Sequence, residues 1–172
     1  MDRSHQIANA AHASAPVPAM EPLEPRLLLD GTPLITEFMA NTDVPWYPAD
    51  PNSDWDWIEI HNPTTSPIPL DGWHLTDNHS NLTKWTFPAG ATLLPNAYRI
   101  VFASGLQNGD PAHPADLHAS FKLDAGDPEY LGLVLPRGWE EDIVHEYAPT
   151  YPEQLEDISY GLPVASTVYE EF

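Results

Sequence analysis

Residues 56–90 read DWIEIHNPTTSPIPLDGWHLTDNHSNLTKWTFPAG, and this stretch decides the fold. Ile58 and Ile60 alternate with Trp57, Glu59 and His61. That period of two predicts a strand with the isoleucines on a buried face and the polar or amphipathic residues on a wet one. Asn62-Pro63 stops it, because Pro63 has no N–H for a ladder and Asn62 suits turn geometry. Leu70-Asp71-Gly72 makes the next turn, and Trp73 and Leu75, again two apart, return to the buried face. The turns carry no catalytic residue set, which points to a binding or scaffolding module rather than an enzyme.

Outward from this segment, short strands are predicted at residues 34–40, 57–61, 68–70, 73–76, 85–87, 98–103, 119–123, 130–135 and 142–146. Turn residues separate each pair. With 20 prolines and no helical 3.6-residue pattern of useful length, the chain reads as an all-β sandwich. Two connections exceed what a hairpin needs, residues 41–56 and 106–118, and long loops on a sandwich are where function usually resides. Residues 1–32 are rich in Ala, Pro, Ser and His without apolar periodicity and predict a disordered arm; residues 33–148 form the domain and 149–172 a C-terminal extension.

At 172 residues the chain suffices for one domain that buries well over half its unfolded surface without crosslinks. The absence of cysteine removes disulfide frameworks and every thiolate-based zinc or redox site. Six basic against 26 acidic residues give a net charge of −20, and Lys84 and Lys122 are the only lysines. Such a surface repels phosphate backbones, so nucleic acid is excluded as a partner. No segment approaches the ~20 apolar residues of a membrane span. Residues 7–20 lack a secretory h-region, being interrupted by Asn9, His12, Ser14 and two prolines.

The ordered series Ile58, Ile60 and Asn62, then Gly72, Trp73 and Leu75, then Phe87, Pro88, Leu93 and Gly105, resembles the lamin-tail domain across residues 33–148. This is an immunoglobulin-like β-sandwich found in nuclear lamins and in many bacterial extracellular proteins. The resemblance implies that sandwich, with Trp73 in its core. It also implies a non-catalytic interaction module for adhesion, tethering or spacing, whose partner is a protein or cell-envelope component. Leu23-Glu24-Pro25-Arg26 with Leu28-Leu29 resembles the LEPR-XLL segment of bacterial surface and exported proteins, which implies an extracellular or cell-surface location. Residues 154–161 resemble a segment that follows lamin-tail domains in bacterial multidomain exoproteins, so the chain reads as a solitary version or a truncated frame.

Asp50, Asn52, Asp54 and Asp56 form a D-x-N-x-D-x-D string whose alternating oxygens suit one Ca²⁺. Trp55 stands where an EF-type loop needs Gly, and His61 where it needs the bidentate acid, so a solvated acidic loop is the competing reading. Asp124, Asp127 and Glu129 make a thinner acidic group. His74, Asp77 and His79 share one hairpin, and His113 and His118 flank Asp116. These are imidazoles and carboxylates of the kind that hold zinc, although exposed turn histidines are the ordinary case. Trp46, Tyr47 and Trp55 in the first long loop are the stacking platforms that a carbohydrate-binding alternative would use. No Gly-x-Ser-x-Gly, Walker loop, dinucleotide fingerprint or HExxH occurs, and Glu140-Glu141 read as edge-strand charges.

Overall fold

The computed structural model describes residues 32–107, 109–126, 129–137 and 140–162. The arm and its LEPR-XLL-like segment lie outside the described residues, apart from Thr32. The described residues form strands and turns, and no helix among them is long and apolar enough to cross a membrane.

Eleven short strands run β1 Leu34–Met39, β2 Asp56–His61, β3 Ile68–Pro69, β4 His74–Thr76, β5 Trp85–Thr86, β6 Thr92–Leu93, β7 Tyr98–Ala103, β8 Leu117–His118, β9 Leu131–Arg137, β10 Glu140–Tyr147 and β11 Tyr160–Gly161. A five-stranded sheet has the order β11-β1-β2-β7-β8, a four-stranded sheet the order β10-β9-β4-β5, and β3 with β6 makes a small third ribbon. The two larger sheets share one core, an immunoglobulin-like sandwich.

The alternation of β2 works as its sequence predicts. Ile58 and Ile60 are fully buried, and Ile58 faces Val101 of β7 while Ile60 faces Ile35 of β1. β1 departs from strict alternation because its register shifts between Ile35 and Glu37, and this bulge sends both Ile35 and Phe38 inward. On the facing sheet Leu75 of β4 lies between Leu133 of β9 and Trp85 of β5, with Trp73 and Phe87 buried at its margin. β10 is an edge strand, as its acidic run anticipates.

Asn62 does more than turn the chain. Its side chain is fully buried, and Nδ2 donates to the carbonyls of Ser66 (2.8 Å), Leu93 (3.1 Å) and Leu94 (3.0 Å). Its Oδ1 accepts from the Thr64 N–H at 2.9 Å. One amide thus ties the end of β2 to the turn before β3 and to the end of β6.

One expectation is corrected, and two features go beyond the sequence reading. The predicted strand at 119–123 is not laddered; the pairing residues are Leu117 and His118, parallel to Val101 and Phe102. Ala119, Phe121 and Leu123 do alternate into the core, but the carbonyls of Ala119 and Phe121 both accept from the Gly105 N–H, so alternation there reflects burial without a neighbouring strand. β6 and β11, each two residues long, are strands beyond those predicted. Beyond β10 the chain folds back on the sandwich. Tyr151 is buried against Phe38 with ring centroids 5.0 Å apart, and β11 hydrogen-bonds to the outer edge of β1.

Candidate functional site

β2 and β7 each present an outward face in register: Trp57 opposite Phe102, Glu59 opposite Ile100, His61 opposite Tyr98. The far end carries His61 stacked on an exposed Tyr98 at 4.1 Å. The near end is roofed. Phe102 is only 5% exposed although it points away from the core, because Trp46 and Trp55 of the first long loop meet its ring edge-on at 5.0 and 5.2 Å. His118 of β8 closes the third side at 5.3 Å. Residues 41–56 and 106–118 therefore meet above the sheet, brought together because β2 and β7 are neighbours and β8 runs parallel beside β7.

At that meeting Tyr47 stacks face to face on His113, with centroids 3.6 Å apart and planes 6° from parallel. The Tyr47 hydroxyl donates to Asp116, and this bond raises its pKa above the usual phenol range. His113 Nδ1 lies 2.6 Å from Asp110 Oδ2, while Asp110 Oδ1 accepts the Ala112 N–H at 2.9 Å. The Ala112 bond first, and the His113 bond after it, hold the Asp110 carboxyl below its ordinary pKa. His118 bonds Ser104 Oγ through Nδ1 at 3.0 Å, and burial lowers its pKa, favouring the neutral ring. Asp50 joins from the first loop: its carboxylate, that of Asp110 and the imidazole of His113 lie within 4.8 Å of one another.

The Asp50, Asn52, Asp54, Asp56 string divides. Residues 50–53 make a tight turn in which Asp50 Oδ1 accepts the Asn52 N–H at 3.0 Å and Ser53 Oγ donates to the Asp50 carbonyl at 2.7 Å. Asp54 is exposed in a cleft that Asn52, Asp56 and Lys122 also line. Asp56 begins β2, where it accepts the Thr42 N–H at 3.4 Å and burial pushes its carboxyl up to about 6. Asp50, Asp54 and Asp56 do not gather as a trio within 4.8 Å; Asp50 converges with Asp110 and His113 instead.

The remaining polar groups stand apart. His74 Nδ1 bonds Thr86 Oγ1 across the sheet at 2.9 Å, buried Asp77 pairs with Lys84 at 2.6 Å, and His79 is exposed with its ring edge-on to Tyr130 at 5.2 Å. Asp124 caps its own turn through the Gly126 N–H at 2.9 Å, while Asp127 lies outside the described residues. Nothing in the local sequence announces Ser104 or Phe102 as parts of the loop cluster; both come from the end of β7 and the residue after it.

The family model of the Lamin Tail Domain matches residues 31–147. No curated protein and no solved structure is a significant match. The Lamin Tail Domain family is immunoglobulin-like and non-enzymatic and is usually involved in interactions. With well over half of its length matched and the sandwich built on Ile58, Ile60, Trp73, Leu75 and Phe87, the chain belongs to the Lamin Tail Domain family.

Proposed function

We propose that this protein is a tethering or adhesion module of a bacterial exported or cell-surface protein, docking on a protein or cell-envelope component through the apolar face beside the first long loop. The exposed apolar side chains there carry this reading. Val44 is 62% and Trp46 40% exposed over a shallow cleft of ≈ 410 Å³ floored by Met39 and Trp57. The Asp43 N–H bonds Asp157 at 3.0 Å, which brings the turn holding exposed Leu155 and Ile158 alongside. Contiguous apolar surface on a chain of net charge −20 is where a partner is recognised, since like charge keeps the rest of the surface apart. The LEPR-XLL-like segment supports the exported setting.

A carbohydrate platform is less well supported. Tyr47 is stacked on His113 and Trp55 is packed against Phe102 and His118, which leaves Trp46 alone of the three outward. The test is retention of labelled protein on bacterial cell-envelope preparations. Val44→Asp and Trp46→Ala are expected to abolish retention while each variant still unfolds cooperatively. Retention equal to the wild type in both would overturn the assignment of this face.

A further inference from the structure

Asp50 and His113 are far apart in sequence, yet their ligating atoms and that of Asp110 lie within 4.8 Å of one another at the mouth between the two loops. All three side chains are half-buried. His113 is held by its stack on Tyr47, and Tyr47 by its bond to Asp116, so the imidazole is oriented from behind by groups that do not enter the cluster. Among the described residues no Lys or Arg makes an ion pair with Asp50, Asp110 or Asp116; Arg99 reaches only the Ala115 carbonyl, at 3.4 Å.

A second, independent feature points the same way. His118 is 4% exposed and lines one cleft with Asp110 and Asp116, and its Nε2 is buried with no hydrogen-bond partner. Trp55 meets both His118 and His113 edge-on, which sets the two imidazoles around one ring. A buried polar atom left unmet beside carboxylates that no Lys or Arg neutralises marks a place completed by something else.

We propose that the mouth between the two long loops binds Zn²⁺ through Asp50, Asp110 and His113. The donor set, two carboxylates and one imidazole, fits a borderline ion that takes nitrogen and oxygen at about 2.0 to 2.2 Å. It suits Ca²⁺ poorly, since that ion asks for six to eight oxygens. On binding, the ion displaces the proton shared between Asp110 Oδ2 and His113 Nδ1, which is released to solvent, and that pair opens from 2.6 Å to about 3.3 Å, the spacing of two ligands on one tetrahedral ion. The ion clamps residues 41–56 to 106–118. This site is independent of whatever docks on the Trp46 face.

Isothermal titration of the full chain with ZnCl₂, together with thermal unfolding in its presence and absence, tests the proposal. The expected result is a Zn²⁺-dependent rise in midpoint and a binding constant that Asp50→Asn and His113→Ala each weaken on the order of tenfold or more. Asp54→Asn, outside the triad, leaves both unchanged, and millimolar Ca²⁺ does not displace the ion. Asp50→Asn keeps the side-chain volume and carries the test if His113→Ala, which loses the Tyr47 stack, fails to fold. Absence of binding in the wild type, wild-type affinity in Asp50→Asn, or displacement by Ca²⁺ overturns the site.

Discussion

Replacing Asn62 measures how much of the sandwich hangs on a single buried amide. Its two Nδ2 hydrogens serve three carbonyls at 2.8 to 3.1 Å and its Oδ1 takes the Thr64 N–H at 2.9 Å, so Asn62→Ala removes the equivalent of two donor bonds and one acceptor bond. At about 1 kcal/mol net for each, with a further increment because the abandoned Leu93 carbonyl stays dry, the loss comes to about 3 to 4 kcal/mol. A domain of this size holds roughly 5 to 15 kcal/mol in total, and the midpoint falls on the order of 12 °C. Asn62→Asp is the sharper variant. It keeps the volume and the acceptor for Thr64 but aims a carboxylate oxygen at three carbonyl oxygens, so at pH 7 it is expected to destabilise more than alanine does. Urea unfolding followed by tryptophan fluorescence, with an unchanged m-value as the check that the same transition is compared, gives both numbers. An Asn62→Asp protein within about 1 kcal/mol of the wild type at pH 7 would show that the amide is not the donor to those carbonyls, and the reasoning would fall.

Trp73, 7% exposed in the shared core, is expected to cost about 3 to 5 kcal/mol when truncated to alanine, and a urea midpoint that hardly moves would place its ring outside the packing. Asp56 supplies the pH test. Its carboxyl is pushed up to about 6 by burial, against 3.8 ordinarily, so between those values the folded chain keeps a proton that the unfolded chain has lost. The stability this group contributes is complete below about pH 4 and is gone once pH passes about 6. Asp56→Asn, which never ionises, should therefore raise the thermal midpoint at pH 8 and leave it unchanged at pH 4; an equal effect at both pH values would refute the burial argument.

The strands legible in the sequence were those long enough to alternate, together with the two-residue β3 and β5 inside the turn-fenced segment 56–90. Ile58 with Ile60 and Trp73 with Leu75 declare a face because each pair spans a full period and is fenced by turn residues. β6 and β11 have two residues each and cannot show a period at all. Residues 119–123 show one without a ladder, because the Gly105 N–H takes the carbonyls that a neighbouring strand would have used. Asn62 looked like a turn residue, and its reach to Leu93 and Leu94 depends on where β6 lies, which no local pattern encodes. The candidate site was half legible. Both long loops and the residues Asp50, Tyr47 and His113 stood out, but the convergence of Asp50 on His113 comes from the adjacency of β2 and β7 and the parallel placement of β8, which are properties of topology.

The last stretch of described chain has a practical bearing on how such a protein is divided. The family match ends at residue 147, yet Tyr151 sits 1% exposed between the sheets, its hydroxyl bonded to both the N–H and the carbonyl of Asp124 at 2.9 Å. The Leu162 N–H bonds the Thr36 carbonyl at 2.8 Å, and the Tyr151 and Tyr160 rings flank Phe38 at 5.0 and 5.7 Å. A recombinant fragment trimmed to the family boundary would carry every residue of the shared pattern and still expose Phe38 and the raw flank of β1, inviting a second molecule to lay a strand there. What a family has in common and what one member needs in order to cover its own edge strand are different lengths of chain.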